Sequence, residues 1–463
     1  MDDEVGDAIA FGTDGWRATQ SEFTTPRVRM VGQAAATYLD DENREGPVAV
    51  GYDARERSRE FAEELARVLA ANGRHVTLAK RDCPTPILAW TVADGDYAGG
   101  LTVTASHNSP EYNGLKFIPH DGSPALPAVT EAIEARLAEP DPNDPGEFGG
   151  VRERDLVTPY SDHSVDFLDV DLEGLPVVYD AMHGSGRGVT DALLKRGGAD
   201  VERLRCTRDP KFGGSPPEPV PERAGDLVDR VATSEAALGL INDGDADRLG
   251  VVTPKRGFLD PSVYLAVLYE YLLESESGGV VRTVSTSSLV DRVAEAHGQS
   301  VHETAVGFKW VAEAMGDHGT LCGGEESGGF GVTAHLQNKD GVLLALLTAA
   351  AAAERPLDER VDDLLATHGE IHQGRVSVDC PADRKAGVLE GLEAALPASV
   401  AGVDVDDVTT VDGFKIVLVD GTWLLVRPSG TEPKMRIYAE AGSDERVNEL
   451  LAAGRDLVVE SRG

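Results

Sequence analysis

The chain has 463 residues, which is enough for three or four domains of ordinary size. Hydrophobic residues make up 41% and charged residues 27%, as is typical of a soluble globular protein. The formal net charge is -37, from 80 acidic and 43 basic residues, and the acids are spread along the chain. Such a surface repels nucleic acid, so we expect no nucleic-acid partner, and its strong hydration is typical of halophilic proteins.

The cysteines and the apolar segments predict a cytoplasmic protein without a membrane role. The four cysteines form no CxxC pair, so neither a zinc site nor a disulfide framework is predicted. The first residues, MDDE, lack the basic region and apolar core of a signal peptide. The longest apolar run, residues 342–353, is too short to span a bilayer and follows Asp340-Gly341, so it predicts a buried helix.

The first 150 residues predict an α/β unit. The segment FGTDGWR at residues 11–17 predicts a hairpin turn or, alternatively, a phosphate contact through Arg17. A helix with Thr25 at its N-cap is expected next. Further elements are expected as strands at residues 47–51, 75–80 and 100–104 and a helix at residues 58–72. Strands that alternate with helices predict a parallel, doubly wound sheet.

The segment TVTASHNSPEYNGLK at residues 102–116 is the first candidate for catalysis. An apolar strand ends here and turn-forming residues follow, so Ser106 is predicted to lie on a loop at the carboxyl end of the strand. Ligands of open α/β sheets bind at this edge. The alternative is that Ser106 and Asn108 only shape the turn through local hydrogen bonds.

The second unit carries a carboxylate motif. A strand at residues 175–180 leads into HGSGRG, which predicts a structural turn more readily than a phosphate cradle. A second apolar strand, residues 238–242, runs directly into DGDADR. The three carboxylates of this motif stand at alternate positions and can converge on one hard cation such as Mg²⁺: Asp243, Asp245 and Asp247. The alternative is an acidic surface turn.

The third unit again alternates strands with helices. We expect strands at residues 280–287 and 301–305 and, between them, a helix at residues 289–297. The motif GEESGG places Glu325 and Ser327 between glycines. These side chains can hydrogen bond to the vicinal hydroxyls of a sugar, although a solvated glycine-rich turn is an equal alternative.

The pattern changes near residue 368, where strand segments lie closer together. Residues 414–419 and 423–426, on either side of Asp420-Gly421, predict a hairpin. RPSGTEPK follows at residues 427–434. It offers a compact set of hydrogen-bond donors for a phosphate group, which are Arg427, Ser429, the Gly430 amide and Thr431.

Together these motifs resemble a known family. TASHN with a downstream NGLK, then DGDADR, GEESGG and RPSGTEPK, are similar to the four signature loops of the α-D-phosphohexomutase superfamily, the phosphoglucomutase/phosphomannomutase group. FGTDGWR, VGFK at residues 306–309 and Lys339-Asp340-Gly341 match as well, so the resemblance covers nearly the whole chain. With the acidic composition, it also suggests a halophilic archaeal source.

The resemblance implies a fold. It is α/β with four domains around a central cleft, three of them similar α/β mixed-sheet domains and the last a smaller C-terminal α+β domain. We place these domains at residues 1–150, 151–254, 255–368 and 369–463.

The resemblance also implies roles for single residues. Ser106 would carry the phosphoryl group and hold Mg²⁺ together with Asp243, Asp245 and Asp247. The transferring group would be surrounded by Arg17, His107, Lys116 and Arg248, with Lys116 or His107 as the acid/base. The sugar would be positioned by Lys309, Glu325 and Ser327. Its existing phosphate would be held by Arg427, Ser429, Gly430 and Thr431.

The implied activity is reversible phosphoryl transfer between the 1- and 6-positions of a glucose or mannose phosphate. It would proceed through phosphoserine and a hexose 1,6-bisphosphate, in a monomer or homodimer. Phosphoglucosamine mutase is the alternative, followed by a metal-dependent sugar phosphatase and a non-catalytic sugar-phosphate binder. Ser109 stands where many relatives have proline, and Gly329 where several mannose-type relatives have histidine. GEESGG favours glucose or mannose, because bacterial glucosamine enzymes usually have glutamine between the glutamate and the serine.

Overall fold

The computed structural model describes residues 9–12, 15–430 and 432–461, and these residues form four β-sheets with their helices. Thr13, Asp14 and Thr431 lie outside the described residues. The sheets follow one another along the chain, so each defines one structural unit. The largest apolar core runs through the first three units, whereas the fourth has a core of its own.

The described part of the first unit contains seven strands and four α-helices. The strands are β1 (Phe11–Gly12), β2 (Gly15–Thr19), β3 (Val48–Tyr52), β4 (Val76–Ala79), β5 (Gly99–Val103), β6 (Tyr112–Pro119) and β7 (Val151–Arg154). The helices are α1 (Thr25–Asp41), α2 (Ser58–Ala71), α3 (Thr85–Asp94) and α4 (Pro127–Glu134). The strand order is β1-β2-β6-β5-β3-β4-β7.

The sheet of the first unit is mixed. Strands β5, β3, β4 and β7 are parallel, but β6 runs antiparallel to β5, and β2 antiparallel to β6. The three strands from which a parallel sheet was predicted, β3, β4 and β5, are parallel, but the complete sheet is mixed, as the resemblance implies. The physical reason is that the connection from β5 to β6 is too short for a parallel crossover, which needs a dozen or more residues.

The N-terminal hairpin and the first helix agree closely with the sequence. Strands β1 and β2 pair antiparallel with Phe11 opposite Trp16, as the hairpin interpretation predicts. Helix α1 begins at Thr25, and its N-cap is Thr24 rather than Thr25. Thr24 has extended dihedrals, with φ -101° and ψ 156°, and the helical conformation starts at Thr25, one residue earlier than a cap at Thr25 predicts.

The second and third units repeat the α/β pattern. The second contains α5 (Val157–Leu168), β8 (Pro176–Asp180), α6 (Thr190–Arg196), β9 (Asp200–Leu204), α7 (Gly225–Thr233), β10 (Leu238–Asn242), β11 (Leu249–Thr253) and β12 (Gly257–Phe258). The third contains α8 (Pro261–Leu273), β13 (Val280–Thr283), α9 (Leu289–Ala296), β14 (Val301–Thr304), α10 (Phe308–His318), β15 (Cys322–Gly324), β16 (Phe330–Val332), α11 (Gly341–Glu354) and α12 (Leu357–His368).

One strand arrangement recurs in all three units. A central strand, β3, β8 or β13, pairs in parallel with a second strand, β5, β10 or β15. That second strand then turns back into an antiparallel partner, β6, β11 or β16. The three turns carry the candidate motifs, and we call them the serine loop (residues 104–111), the carboxylate loop (residues 243–248) and the glutamate loop (residues 325–329).

The fourth unit differs in architecture. Its strands are β17 (His372–Asp379), β18 (Ser399–Val400), β19 (Val403–Thr409), β20 (Phe414–Leu418), β21 (Trp423–Pro428) and β22 (Lys434–Ala441), and its helices are α13 (Lys385–Ala394) and α14 (Asp444–Glu460). The neighbouring strands pair antiparallel in the order β17-β22-β21-β20-β19-β18. The predicted hairpin is β20–β21. We call residues 427–434 the phosphate loop.

Helix α11 is the buried helix predicted from the apolar run. The Asp340 carboxylate caps it by accepting hydrogen bonds from the amides of Val342 and Leu343. Almost the whole helix is buried, which explains why its apolar residues cover every face. Among the described residues no helix is both long and apolar enough to cross a bilayer.

Candidate active site

Ser106 lies at the carboxyl end of β5 with its side chain fully buried. Its Oγ donates a hydrogen bond to Asp243 Oδ2 at 2.9 Å and lies 3.2 Å from His107 Nδ1. Its φ is 49°, a left-handed conformation that costs energy in a residue with a Cβ. The serine loop therefore holds one hydroxyl in a strained position that faces the carboxylate loop of the second unit.

The carboxylate loop forms a buried acidic cluster. One oxygen from each of Asp243, Asp245 and Asp247 lies within 4.8 Å of the others. Asp245 Oδ1 and Asp247 Oδ1 are buried and have no hydrogen-bond partner among the described residues. Unsatisfied buried carboxylate oxygens are costly, and Mg²⁺ selects oxygen ligands of this kind. The donor set therefore fits a divalent cation beside Ser106.

Charge and burial act in opposite directions on this cluster. Burial, together with the neighbouring Asp245 and Asp247, raises the pKa of Asp243 well above its usual range. Burial also opposes ionisation of Asp245, but the Lys116 ammonium and the Thr85 hydroxyl hold the pKa of that carboxyl below its usual value. A divalent cation would relieve the remaining repulsion between the carboxylates.

Two buried lysines form ion pairs with the carboxylates of this cluster. Lys116 on β6 lies 3.3 Å from Asp245 and 3.1 Å from Asp247, and Lys339 of the third unit lies 3.1 Å from Asp247. Lys116 was predicted as a site residue. Lys339 had no role of its own in the sequence-based prediction and belonged only to the motif Lys339-Asp340-Gly341. The sequence signal that could have indicated it is its position directly before Asp340, the N-cap of α11.

His107 and the two predicted arginines line the same region. Burial, followed by the charges of Arg248 and Arg17, lowers the pKa of His107 well below its usual value. The imidazole is therefore neutral at physiological pH. Arg17 of β2 donates to Asn108 Oδ1 at 2.8 Å, so its guanidinium contacts the serine loop. The Arg248 amide donates to Asp243 Oδ1 at 3.2 Å.

The glutamate loop joins this cluster through Arg248. Its guanidinium donates to the carbonyl of Ser327, and its backbone forms a bridge with Gly329. Ser327 Oγ donates to Glu325 Oε1 at 2.6 Å, and burial raises the pKa of Glu325. A Cβ on Gly329 would lie 2.6 Å from Cδ of Lys339, so glycine is needed here for the lysine to reach Asp247.

The phosphate loop contacts the third unit through an aspartate that the sequence did not single out. Arg427 Nε donates to Asp412 Oδ2 at 2.8 Å, and the same oxygen accepts from the Val306 amide at 3.1 Å. Val306 precedes α10, where Lys309 lies in the first turn with its Nζ 5.4 Å from the Trp310 ring. Asp412-Gly413 before β20 was the only sequence signal for this link.

The other predicted donors of the phosphate loop lie in a tight turn. The Ser429 amide donates to the carbonyl of Lys434, and Lys385 Nζ donates to the carbonyls of Ser429 and Glu432. Gly430 lies within this turn, and Thr431 is outside the described residues. Because Lys385 binds two carbonyls of the turn, it stabilises the conformation of the phosphate loop.

The HGSGRG segment supports the structural interpretation. Ser185 Oγ donates to the carbonyl of Gly244 at 3.1 Å. A Cβ on Gly184 would lie 2.7 Å from the same carbonyl oxygen, so glycine allows this segment to pack directly under the carboxylate loop. Arg187 pairs with Asp82 at 2.6 Å and joins the second unit to the first.

Comparison with known proteins gives one consistent result. Family profiles of phosphoglucomutase/phosphomannomutase match four segments of the chain: alpha/beta/alpha domain I at residues 8–144, domain II at residues 158–257, domain III at residues 260–368 and the C-terminal domain at residues 376–457. The crystal structure of a phosphoglucomutase/phosphomannomutase family protein from Burkholderia thailandensis has the same fold, with a TM-score of 0.86 at 22% identity over 99% of this chain and 98% of that one.

Two relatives are similar over nearly their full length. A probable phosphoglucosamine mutase of Methanopyrus kandleri is 35% identical over 97% of both chains. A phosphoglucomutase/phosphomannomutase of Thermococcus kodakarensis is 32% identical over 97% of this chain and 98% of its own. The chain belongs to the phosphoglucomutase/phosphomannomutase family of the α-D-phosphohexomutase superfamily. It is thus an enzyme, an isomerase of the phosphotransferase-type mutase class.

Proposed function

We propose that the enzyme moves a phosphoryl group reversibly between the 1- and 6-positions of glucose or mannose phosphate, through phosphorylated Ser106 and a hexose 1,6-bisphosphate. The observation that carries this proposal is the contact of Ser106 Oγ with Asp243, beside the unsatisfied oxygens of Asp245 and Asp247. A serine hydroxyl within a buried carboxylate cluster has the partners that a phosphoserine with a divalent cation requires.

Asp243, Asp245 and Asp247 would hold Mg²⁺ together with the phosphate on Ser106. When bound, the cation neutralises charge on the transferring phosphoryl group. The chain's own cations have a complementary task, because Arg17 contacts the serine loop and Arg248 connects the carboxylate and glutamate loops. They surround the region where negative charge is redistributed during transfer.

Proton transfer is assigned to Lys116 and His107. In the forward step, the free sugar hydroxyl attacks the phosphorus, the Oγ–P bond breaks and the hydroxyl proton passes to a base while Oγ gains a proton. His107 is neutral and 3.2 Å from Oγ, so it suits exchange of a proton with Ser106. Lys116 is paired with Asp245 and Asp247, and this supports a role in positioning charge as well as in proton transfer.

The substrate would bind between the loops of the third and fourth units. Glu325 and Ser327 would accept and donate hydrogen bonds to sugar hydroxyls, and Lys309 would help to orient the ring. The phosphate that does not react would be held by Arg427, Ser429, Gly430 and Thr431. The bridge through Asp412 between Arg427 and the Val306 amide supports joint action of the two units in this binding.

Glucosamine phosphate is the second candidate substrate, and the similarity to the Methanopyrus kandleri protein favours it. The test is turnover of glucose, mannose and glucosamine 1-phosphates with Mg²⁺ and a trace of the matching 1,6-bisphosphate. We expect the glucose or mannose compound to give the highest kcat/KM and a 6-phosphate product. Preference for glucosamine would reverse the substrate assignment, and release of inorganic phosphate alone would show a phosphatase.

The acidic composition extends the proposal to the enzyme's surroundings. We propose a halophilic, cytoplasmic enzyme that works as a monomer or homodimer, with a hexose 1,6-bisphosphate as its activator. The net charge is -37 over 463 residues, so the acidic groups of the folded protein repel one another. Salt screens this repulsion, so activity should rise with the KCl concentration. Maximal activity without added salt would contradict the halophilic assignment.

A further inference from the structure

Arg55, in the loop after β3, is fully buried and directs its donors to the serine loop. Its Nη2 donates to the carbonyls of Ser106 and Asn108, both at 2.6 Å. Its Nη1 donates to the carbonyls of Ser109 at 2.8 Å and Tyr112 at 3.2 Å. One guanidinium thus binds four backbone carbonyls of the segment that presents the reacting hydroxyl.

Asp53 connects Arg55 to the amide of Ser106 through Thr104. It accepts from Arg55 Nε at 3.1 Å and from Thr104 Oγ1 at 2.8 Å. Thr104 Oγ1 in turn accepts from the Ser106 amide at 2.8 Å. The carbonyl of Ser106 is therefore fixed through Arg55 and its amide through Asp53 and Thr104, so both peptide groups beside the left-handed φ are held.

The second unit covers this arrangement. Arg208 Nη2 donates to the carbonyl of Arg55 at 3.2 Å, and the Phe212 ring lies 4.9 Å from the Arg55 guanidinium carbon. Water is excluded from the guanidinium, so its hydrogen bonds are not weakened by exchange with solvent. Residues of the first unit thus hold the backbone of the serine loop, while Ser106 Oγ contacts the carboxylate loop of the second unit.

We infer that the Asp53–Arg55 ion pair is a positioning unit for phosphoryl transfer: it sets the direction of Ser106 Oγ towards the carboxylate loop. This inference rests on the proposed function of Ser106. A planar fork with donors in fixed directions can bind several carbonyls at once, and the point charge of a lysine cannot reproduce this geometry. The left-handed Ser106 persists only while its surroundings determine it.

The test compares Arg55→Lys and Thr104→Val with the control Arg59→Lys, which changes an exposed arginine four residues further along the chain. Three quantities are measured on the full-length protein. They are kcat and KM, the rate at which glucose 1,6-bisphosphate phosphorylates Ser106, and amide hydrogen exchange in residues 104–112. The exchange measurement needs no catalytic activity.

We expect Arg55→Lys to lower kcat and the phosphorylation rate by on the order of 100-fold while KM changes less than about threefold, because a misplaced reacting group affects mainly the chemical step. Thr104→Val should act in the same direction by roughly 10-fold. Exchange in residues 104–112 should become faster in both variants and stay unchanged in the control. If Arg55→Lys does not fold, Thr104→Val decides.

Phosphorylation of Ser106 at the wild-type rate in the folded variants would overturn the inference and leave the proposed function intact. A wild-type protein that never acquires phosphate on Ser106 would overturn the proposed function and the inference together. A loss confined to KM would also overturn the inference, since it would show that the pair affects substrate binding and leaves the direction of the hydroxyl unchanged.

Discussion

Ser106 Oγ donates a hydrogen bond to Asp243 Oδ2 at 2.9 Å, although the two residues lie 137 positions apart and in different sheets. Each stands at the end of the strand next to the central strand of its unit. The repeated strand arrangement therefore brings two chemically different loops to the same place. The proposed chemistry depends on this contact, because neither loop contains both a hydroxyl and a cation site.

Replacement of Ser106 by alanine removes the proposed phosphoryl carrier. We expect Ser106→Ala to reduce mutase turnover by on the order of 10⁴-fold or more, as is usual when a nucleophile is lost. Affinity for hexose phosphate should change little, because other loops hold the sugar. Ser109→Ala, in the same loop, is the matched control and should keep most of the activity. Full turnover by Ser106→Ala would exclude the phosphoserine route.

Replacement of Asp245 by asparagine tests the cation site. Addition of Mg²⁺ should raise the thermal midpoint of the wild-type protein, because a ligand that binds only the folded state stabilises it. Asp245→Asn should lose this increase together with Mg²⁺-dependent activity. Asp229→Asn, on an exposed face of α7, is the control. An unchanged response to Mg²⁺ in Asp245→Asn would count against the carboxylate loop as the metal site.

Gly329→Ala tests the space that Lys339 occupies. The new Cβ would lie 2.6 Å from Lys339 Cδ, so we expect the lysine to move away from Asp247. The flexible side chain can yield, so Tm should change little while kcat/KM falls by roughly 10-fold through misplacement of the lysine. Gly387→Ala in α13 is the control, because no atom of the described residues lies within 4 Å of its Cβ position. Equal kinetics in the two variants would argue against this role of Lys339.

Asp412→Asn tests the contact between the third and fourth units. The substitution removes the charge that orients Arg427 and weakens the acceptor for the Val306 amide. We expect KM for the hexose phosphate to rise by roughly 10-fold with a smaller change in kcat, since the residue acts on binding. Asp420→Asn in the exposed β20–β21 turn serves as the control. A fall in kcat alone would contradict this assignment.

Glu303 gives a pH-dependent contribution to stability. Burial opposes its ionisation, but Arg282 and Lys415 outweigh burial and lower the pKa of Glu303 to about 2 from 4.5. A pKa that is lower in the folded state stabilises the protein above about pH 4.5, and this contribution disappears as the pH falls towards 2. Lys415 Nζ reaches Glu303 Oε2 at 2.6 Å, so the contribution acts across the third and fourth units.

Glu303→Gln should therefore lower Tm at pH 7, by roughly 1–2 °C for each kcal/mol lost in a chain of this length. The difference from wild type should shrink between pH 4.5 and 2, where the wild-type carboxylate also becomes neutral. Thermal unfolding at a series of pH values measures this difference in Tm, and Glu313→Gln, at an exposed position, is the control. A difference that stays constant over this range would show that Glu303 acts through packing alone.

Local patterns were enough to predict the motifs and their supporting elements. The strand before Ser106, the strand before Asp243 and the cap at Asp340 were all recognisable, because turn residues and apolar runs act over a few positions. The mixed sheet of the first unit was not predictable from helix and strand alternation alone. Its direction depends on the short β5–β6 connection.

The roles of Arg55, Lys339 and Asp412 could not be predicted in the same way. Each acts through partners far away in the sequence, such as the carbonyl of Ser106, the carboxylate of Asp247 and the amide of Val306. The chain has 43 basic and 80 acidic residues, and little in the local sequence distinguishes these three from the others. Arg55 and Lys339 are buried and Asp412 is partly buried, and this gives these charges their importance, because an unpaired charge in the interior is costly.

The amino-acid sequence alone shows which chemical groups are available: a hydroxyl after one strand, alternating carboxylates after another, a glutamate with a serine between glycines, and a set of phosphate donors. Their residue types and order also identified the superfamily. The folded arrangement was needed to show that Ser106 faces Asp243, that two carboxylate oxygens lack partners within the described part of the chain, and that Arg55 holds the serine loop. These relations depend on distances between segments that are far apart in the chain, and such distances are set only when the shared core of the first three units forms.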